Sequence, residues 1–194
     1  MCNILQVGNH TYGATFTENL RAQGHRVYLV ADRTTEGLEP DYESDFRSYD
    51  GAPLLSHVYA IMEYAKETWE GAPVDALITD INIEVPKAPF VDTWPGMSNV
   101  VYRANFKVPV SYLGALCGQH TYFPNKTTYF CSITPERRRV TVTVNRIVQA
   151  ALRTLLEEAD KELYETYGVQ TYLHVENNAA ARVYSSLKML DKKS

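Results

Sequence analysis

The sequence predicts an α/β protein of three layers: a mainly parallel sheet of five to six strands with helices on both faces. Three observations predict it. Short apolar runs of strand length recur along the chain and end in glycine or a polar residue. Amphipathic segments of helical length alternate with them. The spacing between runs suits strand–helix–strand crossovers rather than tight hairpins.

Ile4-Leu5-Gln6-Val7-Gly8 is the first strand signal. Phe16, Leu20 and Ala22 fall near helical spacing over 15–23, and Gly24 stops that helix. His25 to Ala31 is a second strand, ended by Asp32. Strand, helix and strand within about 30 residues is the size of one βαβ unit. Residues 33–53 form an acid-rich polar insertion with Gly37, Pro40, Gly51 and Pro53. Leu54, Leu55, Val58, Ile61, Met62 and Ala65 make one helical stripe over 54–69. Val74 to Asp80 is a third strand. Residues 82–99 carry Pro86, Pro89 and Pro95 and read as loop. A short helix is expected over 100–106, and Val108-Pro109-Val110-Ser111-Tyr112-Leu113 reads as a fourth strand. Its proline sits near the start, where a missing donor is tolerated. Residues 114–125 read as loop or short helix. Thr127 to Phe130 is a fifth strand. Thr134-Pro135-Glu136 signals a helix start, and 146–164 is its clearest part. Val169 to Val175 is a sixth strand, and Asn178 caps a last helix over 179–190. The organisation expected is one α/β domain spanning 1–194.

Composition bounds the function. The chain has 194 residues, a formal charge of -4 and 45% hydrophobic residues. It can bury a core, and its acidic balance argues against nucleic acid as a partner. No apolar run approaches the roughly 18–20 residues of a membrane span, so no membrane partner is expected. Met1-Cys2-Asn3-Ile4 opens no signal peptide. Cys2, Cys117 and Cys131 are odd in number and widely spaced, which favours a reducing, cytoplasmic setting over a disulfide framework.

In open parallel sheets ligands bind beyond the carboxyl ends of the strands. The polar residues there are Asn9 and His10, Asp32, Asp80 and Asn82, His120, Ser132, and His174 with Glu176. A protein partner or a small-molecule ligand is expected at this edge, with a homodimer as a further candidate. Gly8 and Gly13 lack the third glycine of a dinucleotide fingerprint. Cys117-Gly118-Gln119-His120 supplies two metal ligands where zinc takes three or four. No metal site and no cofactor are expected.

Three family resemblances follow from these residues. The order Ile4–Val7, Gly24–Val27, Val74–Ile81 and Val108–Leu113 resembles a flavodoxin-like response-regulator receiver domain. That resemblance puts Asp80 at the phosphoacceptor position. Gly8, Asn9 and His10 stand where such domains hold a magnesium-binding acidic pair, so it implies a signalling module that acts through protein–protein contacts. A second resemblance, through Leu113-Gly114-Ala115-Leu116-Cys117-Gly118-Gln119 and His174-Val175-Glu176, is to class I glutamine amidotransferases. It implies a Cys117 nucleophile with His174 or His120 as base and Glu176 as orienter. The segments Arg146–Ala159 and Asn177–Met189 are similar to helices of GNAT acetyltransferases, which implies an acyltransferase.

Overall fold

The computed structural model describes residues 1–9, 12–32, 39–46, 54–83, 95–120, 127–132, 144–174 and 179–191. Among them six strands form one sheet: β1 (Asn3–Val7), β2 (Arg26–Ala31), β3 (Tyr42–Glu43), β4 (Ala76–Thr79), β5 (Thr127–Ser132) and β6 (Val169–His174). The helices are α1 (Ala14–Ala22), α2 (Leu54–Thr68), α3 (Pro95–Tyr102), α4 (Val108–His120), α5 (Val144–Tyr167) and α6 (Ala179–Asp191). A π-helical turn, Arg103–Lys107, joins α3 to α4. Every strand pair is parallel, and the order is β3-β2-β1-β4-β5-β6. The three-layer parallel α/β class expected from the sequence is the class observed.

Alternation along the strands divides the core. Leu5, Val7, Tyr28, Val30, Leu77 and Tyr129 face the layer that holds α2, α4 and α5. Ile4, Val27, Ala76, Ile78 and Phe130 face Phe16 and Leu20 of α1 and Val183 and Leu187 of α6. Strands covered on both faces read as continuous apolar runs, which is why β1, β2 and β4 stood out in the sequence.

The expected fourth strand at 108–113 is instead the start of α4. Val108, Tyr112, Ala115 and Leu116 are all buried, at helical spacing. Two valines around a proline imitate a strand, and packing overrides that local preference. The π turn accommodates Pro109: proline lacks a donor and crowds the carbonyl four residues back, here Asn105. The widened turn has the Val108 N–H reaching back to the Arg103 carbonyl. The 82–99 loop also needs revision, since α3 begins at Pro95. Within the 33–53 insertion lies the edge strand β3, too short to leave a periodic signal. Asp41, just before it, accepts the Leu29 N–H at 2.7 Å and pairs with Arg21 at 2.6 Å, tying β2 to α1. The helix start at 134–136 lies outside the described residues.

Candidate functional site

Strand β1 is the centre of the sheet, pairing with β2 on one side and β4 on the other. The chain leaves β1 toward α1 on one face, and α3 and α4 follow β4 on the opposite face. A doubly wound sheet opens a crevice where such connections diverge, beyond the strands' carboxyl ends. Here that crevice is bounded by Gly8 and Asn9 after β1 and by Asp80 to Ile83 after β4.

Gly8 is required by its surroundings. Its φ is +82°, and a Cβ there would press into the Asp80 carbonyl and lie 2.9 Å from Cγ1 of Ile81. The Asp80 N–H donates to the Val7 carbonyl at 2.8 Å, which draws the ends of β1 and β4 together. The Asp80 side chain is wholly buried, and its Oδ2 accepts the Tyr12 N–H at 2.9 Å, holding the β1–α1 loop against β4. Gly13, at φ +77°, precedes α1, and no side chain caps that helix end. The Phe16 N–H of the first turn donates to the Gly13 carbonyl at 3.2 Å, and no side-chain cap faces the positive end of the helix dipole. Tyr12 stacks on Phe16 at 4.4 Å between ring centres, which fixes the loop's exit into α1.

A polar chain runs beneath this loop. Thr17 Oγ1 donates to Gln6 Oε1 at 3.0 Å, and Gln6 Nε2 donates to the Gly8 carbonyl at 3.3 Å and to Asn9 Oδ1 at 3.4 Å. All three side chains are buried. A second polar group lies on the other face. Asn105, in the π turn, accepts the Ile83 N–H at 2.8 Å and donates to the Ile83 carbonyl at 2.9 Å and to Asn145 Oδ1 at 2.8 Å. Asn145 and Gln149, both of α5, donate to Asn82 Oδ1 at 3.0 and 3.3 Å. These four carboxamides join the segment after β4, the π turn and α5 with neutral donors and acceptors. π turns inside helices recur at functional sites, and Asn105 gives this one a task.

Of the residues expected at strand ends, Asn9 follows β1, Asp80 and Asn82 follow β4, and Asp32 lies buried one residue past β2. Ser132 and His174 close β5 and β6 and stand opposite each other in register, while His120 ends α4. His10 and Glu176 lie outside the described residues. Cys117 is set within α4 rather than on a strand-to-helix turn. It is buried, and desolvation pushes its thiol up to about 11, away from the thiolate that a nucleophile needs. Burial likewise pushes the Cys131 thiol up to about 11. Sequence reasoning missed Gln6, Thr17, Asn105, Asn145 and Gln149. For Gln6 a signal existed: it is the one polar residue inside the apolar run Ile4–Val7.

No protein-family model matches the chain, and no curated protein matches it. Solved structures share its fold. An oxidoreductase of the short-chain dehydrogenase/reductase family from Brucella ovis, in complex with a partially ordered NAD, superposes with a TM-score of 0.72 at 16% identity, over 98% of this chain and 93% of that one. A short-chain dehydrogenase from Mycobacterium smegmatis gives 0.70 at 14% identity, over 94% and 87%. A bulky-bulky ketone specific alcohol dehydrogenase from Comamonas testosteroni gives 0.68 at 15% identity, over 98% and 83%. The fold is thus that of the short-chain dehydrogenases.

This finding overturns the receiver-like signalling reading. The strand that would end beside Gly114 is a helix, so the receiver arrangement around Asp80 is not built. The amidotransferase or hydrolase alternative on Cys117 fails for the same reason, because its nucleophile turn needs that strand. The acetyltransferase alternative falls with them: α5 packs on the sheet of a dehydrogenase fold. No helix among the described residues is long and apolar enough to cross a membrane.

Proposed function

We propose that the chain binds a nicotinamide dinucleotide across the β1/β4 crevice and acts as an oxidoreductase on a small alcohol or carbonyl compound. The single observation that carries this reading is the strand order, which puts the connection reversal between β1 and β4 and gathers Gly8, Asn9 and Asp80 there. The fold likeness to dehydrogenases supports it, and one of those structures contains NAD. It departs from the expectation that no cofactor is used.

The residues present fit such a group. Gly8 and Gly13, both at positive φ, let the backbone turn and approach a ligand, and the uncapped end of α1 favours its negative diphosphate. Asp32 stands about 20 residues beyond the glycine turn, where an acid accepts a ribose hydroxyl and repels a 2′-phosphate. The bound dinucleotide supplies a hydride donor or acceptor. Asn82, Asn105, Asn145 and Gln149 hold one another and the Ile83 backbone through neutral hydrogen bonds, and carboxamides neither hold nor release a proton near neutral pH. Asp80 positions the loop from below through Tyr12.

The test is titration of the full chain with NADH and NADPH, followed by energy transfer from its two tryptophans to the reduced nicotinamide. Saturable binding with NADH preferred, and turnover of NAD(H) with a panel of small ketones and alcohols, is the expected outcome. Binding of neither dinucleotide overturns the proposal.

A further inference from the structure

We infer that Thr17 and Gln6 are positioning residues that set the Asn9 carboxamide as a hydrogen-bond donor to a diphosphate oxygen of the bound nucleotide. The inference rests on the dinucleotide reading above and adds a determinant that the glycine turn does not contain.

The orientation of an amide is settled by its neighbours. The Gly8 carbonyl only accepts, so Gln6 must turn Nε2 toward it. That choice leaves Gln6 Oε1 facing Thr17, whose hydroxyl donates to it. The same Nε2 also donates to Asn9, so Asn9 must present Oδ1 to Gln6. The reverse orientation of Asn9 would set two donors against each other. One fixed backbone carbonyl therefore dictates the side chains in turn, and Nδ2 is left as the remaining group of Asn9. That Nδ2 is buried and has no hydrogen-bond partner among the described residues, while Asn9 is only 4% exposed. Buried donors are almost always satisfied, so one left open at a ligand crevice points to an acceptor that arrives with the ligand. The uncapped start of α1 follows a few residues later and favours the same kind of group, an anionic oxygen. Hydrogen bonds between a neutral donor and a charged acceptor are among the stronger ones.

The experiment compares ADP with adenosine as calorimetric probes of the full chain. Asn9→Ala removes the donor, Thr17→Val removes the hydroxyl while keeping the shape, and Thr17→Ser restores it. Asn9→Ala is expected to weaken ADP binding by about tenfold and leave adenosine unchanged. Thr17→Val should weaken ADP by a few-fold, and Thr17→Ser should recover it. The Asn9 side-chain NH2 resonance, identified by its loss in Asn9→Ala, should shift on adding ADP and stay in place on adding adenosine. Undiminished ADP binding by Asn9→Ala, or equal losses for ADP and adenosine, overturns the inference and leaves the dinucleotide reading standing. A wild-type chain that binds neither NADH nor ADP overturns both.

Discussion

Asn105 treats the backbone of Ile83 as a neighbouring strand would: its Oδ1 accepts the N–H at 2.8 Å and its Nδ2 donates to the carbonyl at 2.9 Å. One side chain thus satisfies both backbone groups of Ile83 in the segment that follows β4. Asn105 is 1% exposed, so bulk water does not reach these two groups in the intact protein.

Replacing Asn105 with alanine should therefore strand two buried backbone groups. A cost of about 2–4 kcal/mol is expected, read as a lower urea midpoint with an unchanged slope. Asn105→Asp keeps an acceptor for the N–H but loses the donor, and should also destabilise. A midpoint unmoved by Asn105→Ala would refute this account of the π turn.

Gly8 and Gly13 share a left-handed backbone but not their surroundings. Alanine at Gly13 meets nothing within 4 Å, so only the backbone strain of its φ of +77° and ψ of 170° is expected, about 1–3 kcal/mol. Alanine at Gly8 adds a collision with the Asp80 backbone, and should cost several kcal/mol and abolish NADH binding. Thermal melts of the two variants side by side decide it; equal losses would contradict the close approach of β1 and β4.

The thiols of Cys117 and Cys131 stand higher in the folded chain, at about 11, than their ordinary value of 9.0. As pH rises, the unfolded chain loses these protons first. Their contribution to stability is whole below about pH 9 and is lost between about 9 and 11. Folded protein at pH 8 should resist iodoacetamide at both positions, and urea should expose them. Rapid alkylation of native Cys117 would contradict the burial seen in α4.

Asp32→Ala should narrow the preference for NADH over NADPH by about tenfold, since the carboxylate no longer repels a 2′-phosphate. Competition titrations with the two reduced dinucleotides measure it. An unaltered ratio would remove Asp32 from the ribose end of the crevice.

Much of the sheet was legible because a strand covered on both faces must be apolar throughout. Ile4–Val7, Val27–Ala31 and Ala76–Thr79 could hardly be anything else. The positions of Asn9, Asp32 and Asp80 just past β1, β2 and β4 were legible from where the apolar runs stop. What stayed hidden depends on tertiary contacts. Val108 to Leu113 has strand-like residues, yet its burial is helical. β3 is two residues long, below any periodic signal. Asn105, Asn145 and Gln149 lie on two separate helices, and only folding brings their amides together.

The π turn at Arg103–Lys107 also sets the rotational phase of everything after it. An ordinary helix advances about 100° per residue, so deleting one residue from the turn would rotate α4 by that much about its axis. Tyr112 would turn into the half-buried place of Ser111, and Leu113 and Cys117 would take the places of Tyr112 and Leu116. Segment swaps between this chain and a relative with an unbroken helix would then fail unless the extra residue travelled with them.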